Sequence, residues 1–367
     1  MKKILVTRSS MPDYDEYVEM IKPLWDSRWL TNMGTYHSEL EKKLKEFLQV
    51  KEVSLMVNGH MSLEMAIQAM DFPKGSQVIT TPFTFISTTH AIIRNGLEPV
   101  FCDIKLEDYT MDESRIEELI TEKTVAIVPV HVYGNICNID RIQEIAQKHN
   151  LKVIYDACHA FGESYKGTNV SNYGDASVFS FHATKVFNTV EGGAVTSSSK
   201  ELYDRLYNLK NFGIRGEELI EDVGANAKLN ELSAIMGICN LKNVENNILL
   251  RKERVDRYLT MLQDVTNLSM QKFDRPDVSY NYGYFPIMFK DKETRDKVSD
   301  ALKENNIFPR KYFYPLTSDA ECFHDRFKDA DIQVARYVSD RILVVPLYPE
   351  LDVSDIDRIC SIIKETV

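Results

Sequence analysis

The chain has 367 residues, a formal net charge of −11 and an ordinary share of apolar residues. That length suits two domains with sizeable cores, and the acidic balance argues against sequence-independent nucleic-acid binding, which relies on Lys and Arg to neutralise phosphates. No apolar run approaches the roughly 20 residues needed to cross a bilayer, and Met1-Lys2-Lys3-Ile4-Leu5-Val6-Thr7 carries too short an apolar stretch for a signal peptide.

In chain order, residues 14–25 are amphipathic and predict a helix. Residues 36–48 do the same, with Leu40, Leu44, Phe47 and Leu48 as the apolar positions. From Glu52 the pattern alternates between strand and helix. Strands are expected at 53–57, 76–80, 99–102, 125–130 and 153–156, with intervening helices ending at Met70 and spanning 86–94, 111–121 and 140–149. Two further strands follow at 176–181 and 193–196. Near Asn243 the composition shifts to a long charged helix at 248–262, then a strand at 284–289 and helices at 294–305 and 354–364.

Near-continuous apolar strands spaced by helices predict an α/β fold whose mostly parallel sheet is covered on both faces. The expected division is a large domain over 1–245, including the N-terminal helical segment, and a smaller C-terminal α+β lobe over 246–367. Cys102, Cys137, Cys158, Cys239, Cys322 and Cys360 are scattered, with no Cys-x-x-Cys pair and no metal spacing. They read as free thiols in a reducing cytoplasm, and no metal is expected. Cys158 reads as a packing residue.

In open α/β sheets, ligands bind beyond the carboxyl ends of the strands. Asn58-Gly59-His60, Phe83-Thr84-Phe85, Asp156 and Ser180 all fall at such ends. Lys185 follows the apolar run 176–181 and precedes a second short strand, an unusual place for an ammonium group. Asp156 could simply cap a helix and Lys185 could be a loop lysine. Together they match what pyridoxal 5'-phosphate requires: an amine for covalent attachment and an acid to keep the ring nitrogen protonated. The amine must lose its proton to react, so its pKa is expected to fall from about 10.4 toward roughly 7–8. The amides of the helix beginning near Gly59 suit a phosphate, and Ser180 could add a hydroxyl. Phe85 could stack on the ring, and His159, three residues after Asp156, could face it as well. A plain dinucleotide-binding domain would need a Gly-x-Gly-x-x-Gly turn, and none occurs.

These segments carry a resemblance. Asn58-Gly59-His60, Pro82-Phe83-Thr84-Phe85, Asp156-Ala157-Cys158-His159-Ala160-Phe161-Gly162, Ser180-Phe181-His182-Ala183-Thr184-Lys185, Glu191-Gly192-Gly193-Ala194 and 224–231 resemble the DegT/DnrJ/EryC1/StrS sugar aminotransferases, fold-type I enzymes with a seven-stranded sheet. The likeness runs from about Trp29 to the C-terminus. It implies that Lys185 attaches the cofactor and shuttles a proton, Asp156 pairs with the ring nitrogen, and His159 lies by the ring. Gly59, His60 and Ser180 would hold the phosphate. Asn226 would reach the partner subunit's phosphate site, so a homodimer with shared active sites is implied. His60 stands where many relatives carry a hydroxyl, Phe85 where they carry Trp or Tyr, and Val186 where an asparagine is frequent, with Asn188 as a possible substitute.

The segment 25–34 and the run 182–189 look most like family members acting on dTDP-linked keto-6-deoxy sugars. The implied reaction moves the amino group of L-glutamate to C4, with C3 amination as the alternative and a non-catalytic regulator as a remoter one. Lys311, Tyr312 and Tyr314, beside Arg310, resemble a segment near the sugar nucleotide, and Trp29, Leu30 and Phe212 are candidates for its nucleotide end.

Overall fold

The structure, a computed structural model, describes residues 3–367. Its centre is a seven-stranded sheet: β1 (Glu52–Met56), β2 (Gln77–Thr80), β3 (Glu98–Phe101), β4 (Thr124–Val128), β5 (Lys152–Asp156), β6 (Ala176–Ser180) and β7 (Gly193–Ser197). The spatial order is β1-β7-β6-β5-β4-β2-β3. All neighbours pair in parallel except β7, which runs antiparallel to both β1 and β6.

Both faces of the sheet are buried. Val153 and Tyr155 of β5 belong to one apolar cluster and Ile154 to the other, as period-two side-chain alternation requires. This explains why the strands read as unbroken apolar runs. Helices α1 (Thr35–Leu48), α2 (Gly59–Ala69), α3 (Ser87–Arg94) and α4 (Glu231–Leu241) lie around the sheet. Glu231, buried at the start of α4, accepts from the backbone amides of Tyr36 at 2.8 Å and His37 at 3.1 Å. Its carboxylate thereby satisfies two otherwise orphaned donors in the first turn of α1.

Three features depart from the sequence expectations. The helix expected at 14–25 breaks into Tyr14–Ile21 and Pro23–Ser27, because Pro23 has no amide to continue the ladder and starts a helix instead. No α-helix forms at 111–121. Two short 3-10 turns stand there, where the Asp112 carboxylate takes the Ser114 amide and hydroxyl and offers the backbone a local alternative. The division at residue 245 also differs at both ends. The strand Ile4–Leu5 pairs with Ile307–Phe308, and Ile4 is buried in the C-terminal core. Helix α5 (Val244–Leu262) bridges the lobes, packing Ile248 against the large core and Val255, Tyr258 and Leu262 into the small one. The small lobe is built on an antiparallel sheet of Leu268–Met270, Pro286–Phe289 and Ile342–Val344.

Candidate active site

The parallel strands β1, β5 and β6 present their carboxyl ends to one edge, where Asn58, Asp156 and Ser180 emerge. Asn58 caps α2, its side chain accepting from the Met61 amide at 2.8 Å. The first-turn amides of α2 are left at the rim of the sheet with the positive end of the helix dipole. Two glycines make this packing possible. A Cβ on Gly193 would lie 2.7 Å from the Asn58 carbonyl carbon, and one on Gly59 would lie 2.6 Å from Ser180 Cβ. Neither neighbour is a flexible side-chain end, so Gly193 and Gly59 serve close approach.

Asp156 is buried. It accepts from Thr88 Oγ1 at 2.8 Å and from the Cys158 amide at 3.2 Å. Thr88 comes from the first turn of α3, and its neighbour Ser87 bonds His60 Nδ1 at 2.8 Å. The start of α3 therefore ties the beginning of α2 to the acid. His60 also faces Glu64 at 3.3 Å through Nε2. With both ring nitrogens engaged along α2 and α3, the imidazole does not serve as a free phosphate ligand. Only the His60 backbone amide remains for that role.

Lys185 is partly buried, and its Nζ donates to Tyr284 Oη at 3.0 Å. Burial pulls the ammonium pKa down, but Tyr284, Cys158 and Asp156 outweigh it and the net shift is upward. The expected fall is therefore absent, because the groups around Nζ are acceptors or acids that favour the charged form. Burial and the neighbouring Asp156 push the Cys158 thiol well up, which keeps it protonated and unsuited to nucleophilic work.

His159 is buried, and its pKa lies well below the ordinary range through desolvation and then the Lys185 charge. Its Nδ1 accepts from the Tyr133 amide at 3.0 Å, which assigns the proton of the neutral ring to Nε2. The ring lies nearly parallel to Tyr133 and Phe313 and 4.5 Å from Tyr284. Lys185, Asp156, Cys158, His159 and Tyr284 thus form one group, and Gly59 and Ser180 form the adjacent cradle.

The other expected residues stand elsewhere. Phe85, Lys311, Tyr312 and Tyr314 line an open cleft of about 480 Å³ with Arg310. Phe85 is 59% exposed there. Lys311 pairs with Asp296 at 2.5 Å, so its charge is already answered; Arg310 has no ion pair among the described residues. Trp29 and Leu30 lie at the α1–α4 junction, where the Leu30 carbonyl accepts from the Glu231 amide at 3.0 Å. Exposed Phe212 lies 4.8 Å from Lys228 Nζ, which bonds Asn226 Oδ1 at 2.9 Å. Asn188 is buried and bonds the Ser10 carbonyl through Nδ2, so it fastens the N-terminal segment and does not replace an asparagine at the site.

Sequence reasoning missed Tyr284, Thr88 and Tyr133. Thr88 carried a signal: Thr84 and Thr88 are spaced i, i+4 beside Phe85, and their hydroxyls meet at 3.1 Å. Tyr284 carried none, since it lies 99 positions from Lys185 at the head of a strand in the other lobe.

The group fits pyridoxal 5'-phosphate. It offers a lysine amine, a buried carboxylate held by two donors, and a helix N-terminus that Gly59 lets pack closely against Ser180. Among the described residues no cluster of ligands could hold a metal, and no helix is long and apolar enough to cross a membrane.

Comparison with known proteins adds the following. The profile of the DegT/DnrJ/EryC1/StrS aminotransferase family matches residues 13–364. A protein of Shigella dysenteriae described as dTDP-4-amino-4,6-dideoxy-D-glucose transaminase is 41% identical over 99% of both chains. One of Escherichia coli with the same description is 38% identical over 99% of this chain and 98% of that one. The crystal structure of DesI in the presence of its TDP-sugar product superposes with a TM-score of 0.92 at 29% identity, covering 100% of this chain and 93% of that one.

Proposed function

The chain belongs to the DegT/DnrJ/EryC1/StrS aminotransferase family, and from that premise we propose that it is a pyridoxal 5'-phosphate-dependent transaminase of nucleotide sugars. It transfers the amino group of L-glutamate to C4 of dTDP-4-keto-6-deoxy-D-glucose, giving dTDP-4-amino-4,6-dideoxy-D-glucose for O-antigen or related polysaccharide synthesis. The observation that carries the reading is the Lys185–Asp156–Gly59 arrangement, in a chain matched end to end by two relatives so described.

The cofactor, when bound, supplies an electron-withdrawing ring that stabilises the carbon losing its proton. The chain's residues do the rest. Lys185 attaches the cofactor and carries the proton from one carbon to the next. Asp156, fixed by Thr88 and the Cys158 amide, holds a proton at the ring nitrogen. The α2 amides at Gly59 and His60, with the Ser180 hydroxyl, bind the phosphate. His159 is neutral with its proton on Nε2 and would offer that N–H to the bound cofactor. Phe85, exposed in the neighbouring cleft, is the candidate to stack on the ring once the cofactor is bound. Arg310, Tyr312 and Tyr314 suit a diphosphate and sugar hydroxyls there; Lys311 contributes mainly through its pair with Asp296. Trp29 and Leu30 are assigned to the nucleotide end.

Asn226 and Phe212 belong to a separate surface that also exposes Leu219, Ile220 and Val223, the last at 90%. An apolar surface of this kind is suited to a second copy of the chain, so the active unit is a homodimer in which Asn226 completes the partner's phosphate site. Six unpaired cysteines support a cytoplasmic location. The net charge of −11 speaks against nucleic acid as a partner.

Gly59→Ala tests the cradle. Its Cβ would overlap Ser180, so the variant should lose about 1–3 kcal/mol in a denaturant titration and bind the cofactor at least about tenfold more weakly by absorbance titration. Unchanged cofactor affinity would remove Gly59 from the phosphate site. The sugar assignment is tested by NMR of the products formed from dTDP-linked 4-keto and 3-keto 6-deoxy sugars with glutamate. Nitrogen at C4 is expected, and amination at C3 alone would overturn the assignment.

A further inference from the structure

Tyr284 comes from the small lobe, just ahead of the strand Pro286–Phe289, yet its hydroxyl meets the reactive nitrogen of the large lobe at 3.0 Å. Lys185 Nζ is faced by Asp156, Cys158 and His159 at the end of β5, by Tyr312 from the cleft wall and by Tyr284. Among the described residues, Tyr284 is the side chain within hydrogen-bond distance of Nζ. Its ring is held 4.5 Å from His159 and 5.8 Å from Tyr133, so the hydroxyl is positioned by packing.

Tyr284, Thr184 and Gly283 also border two small voids. One of about 10 Å³ is bounded by Lys185, Cys158 and His159; another of about 20 Å³ is bounded by Thr7 and Tyr312. The larger has the volume of about one water molecule.

A group that serves a proton-shuttling lysine must suit both the ammonium and the free amine. A carboxylate only accepts, so it favours the ammonium alone. A phenol accepts from the ammonium and, by turning its O–H, donates to the free amine. We propose that Tyr284 is the partner that attends Lys185 Nζ in both protonation states, and so sets the pH range over which the lysine takes up and releases its proton. The phenol keeps its own proton throughout; when the lysine gains or loses its proton, the hydroxyl changes only between acceptor and donor. This role rests on the reading of Lys185 as the amine that attaches the cofactor.

The test is Tyr284→Phe, which keeps the ring and its contacts with His159 and Tyr133 and removes only the hydroxyl. The rate of covalent attachment of pyridoxal 5'-phosphate to the apoprotein, followed by visible absorbance, is measured against pH. Without the hydroxyl the ammonium loses an acceptor, so the half-maximal pH should move down by about one unit, the scale of a hydrogen bond to a charged group. The half-reaction with glutamate should slow by about 10- to 100-fold with little change in KM. An unmoved midpoint overturns the proposal, whatever the activity does. Should Tyr284→Phe melt well below the wild type, 3-fluorotyrosine at this position, an almost isosteric and weaker acceptor, should shift the midpoint in the same direction by less; no shift there overturns the proposal as well. Lys185→Ala separates the premise from the inference: continued covalent attachment in that variant removes the role of Lys185 itself.

Discussion

Lys185→Ala is expected to abolish transamination, with a loss of at least about 10⁴-fold, the upper scale for removing a positioned proton-transfer group. The lysine has two tasks that no neighbour can take over. On the proposed reading it is the attachment point, and it returns the proton to a different atom from the one that lost it. Cys158, the nearest alternative nucleophile, has its thiol pKa pushed well up by burial and the adjacent carboxylate. His159 is neutral, with Nδ1 already engaged by the Tyr133 amide. The purified variant should lack the visible absorbance of the lysine-bound cofactor, while still binding the phosphate end through the α2 amides. Turnover measured as 2-oxoglutarate release is the check; a rate within tenfold of the wild type would exclude Lys185 from the chemistry.

Asp156→Asn should be nearly as damaging by a different route. The substitution keeps the shape and a carbonyl oxygen for Thr88 or the Cys158 amide, so the fold should survive. On the proposed reading, what disappears is the charge that keeps the ring nitrogen protonated. Breaking a buried charged pair costs about 3–5 kcal/mol, which corresponds to about 10²- to 10⁴-fold in rate. The variant should still attach the cofactor through Lys185, so its visible spectrum persists while the half-reaction with glutamate slows by that factor. Retained colour with lost turnover separates Asp156 from Lys185, where both vanish. A variant that turned over at the wild-type rate would show that the carboxylate serves packing alone.

Much of this protein was legible in one dimension. Strands buried on both faces read as unbroken apolar runs, and their alternation with helices leaves few topologies other than a mostly parallel sheet. That inference placed 58–60, Asp156 and Ser180 at strand ends, and ligand sites in such sheets form at those ends. The elements that failed were those in which local side-chain chemistry or a missing amide competed with periodicity. At 111–121 the Asp112 carboxylate captured the backbone, and at Pro23 the helix had no donor to continue.

The sequence by itself determined the residue types offered for the centre: Lys185, Asp156, His159 and Gly59 are legible because each answers a local need for an amine, an acid, a ring contact or a missing Cβ. Tertiary structure alone decided their partners. Thr88 on the Asp156 carboxylate, Ser87 on the His60 ring, and Asp296 on Lys311 are contacts between separate elements. Tyr284 on Lys185 Nζ joins two lobes. The direction of the Lys185 pKa was decided there too. Burial and charge act through space, and only the folded chain brings a phenol, a thiol and a carboxylate to the same nitrogen.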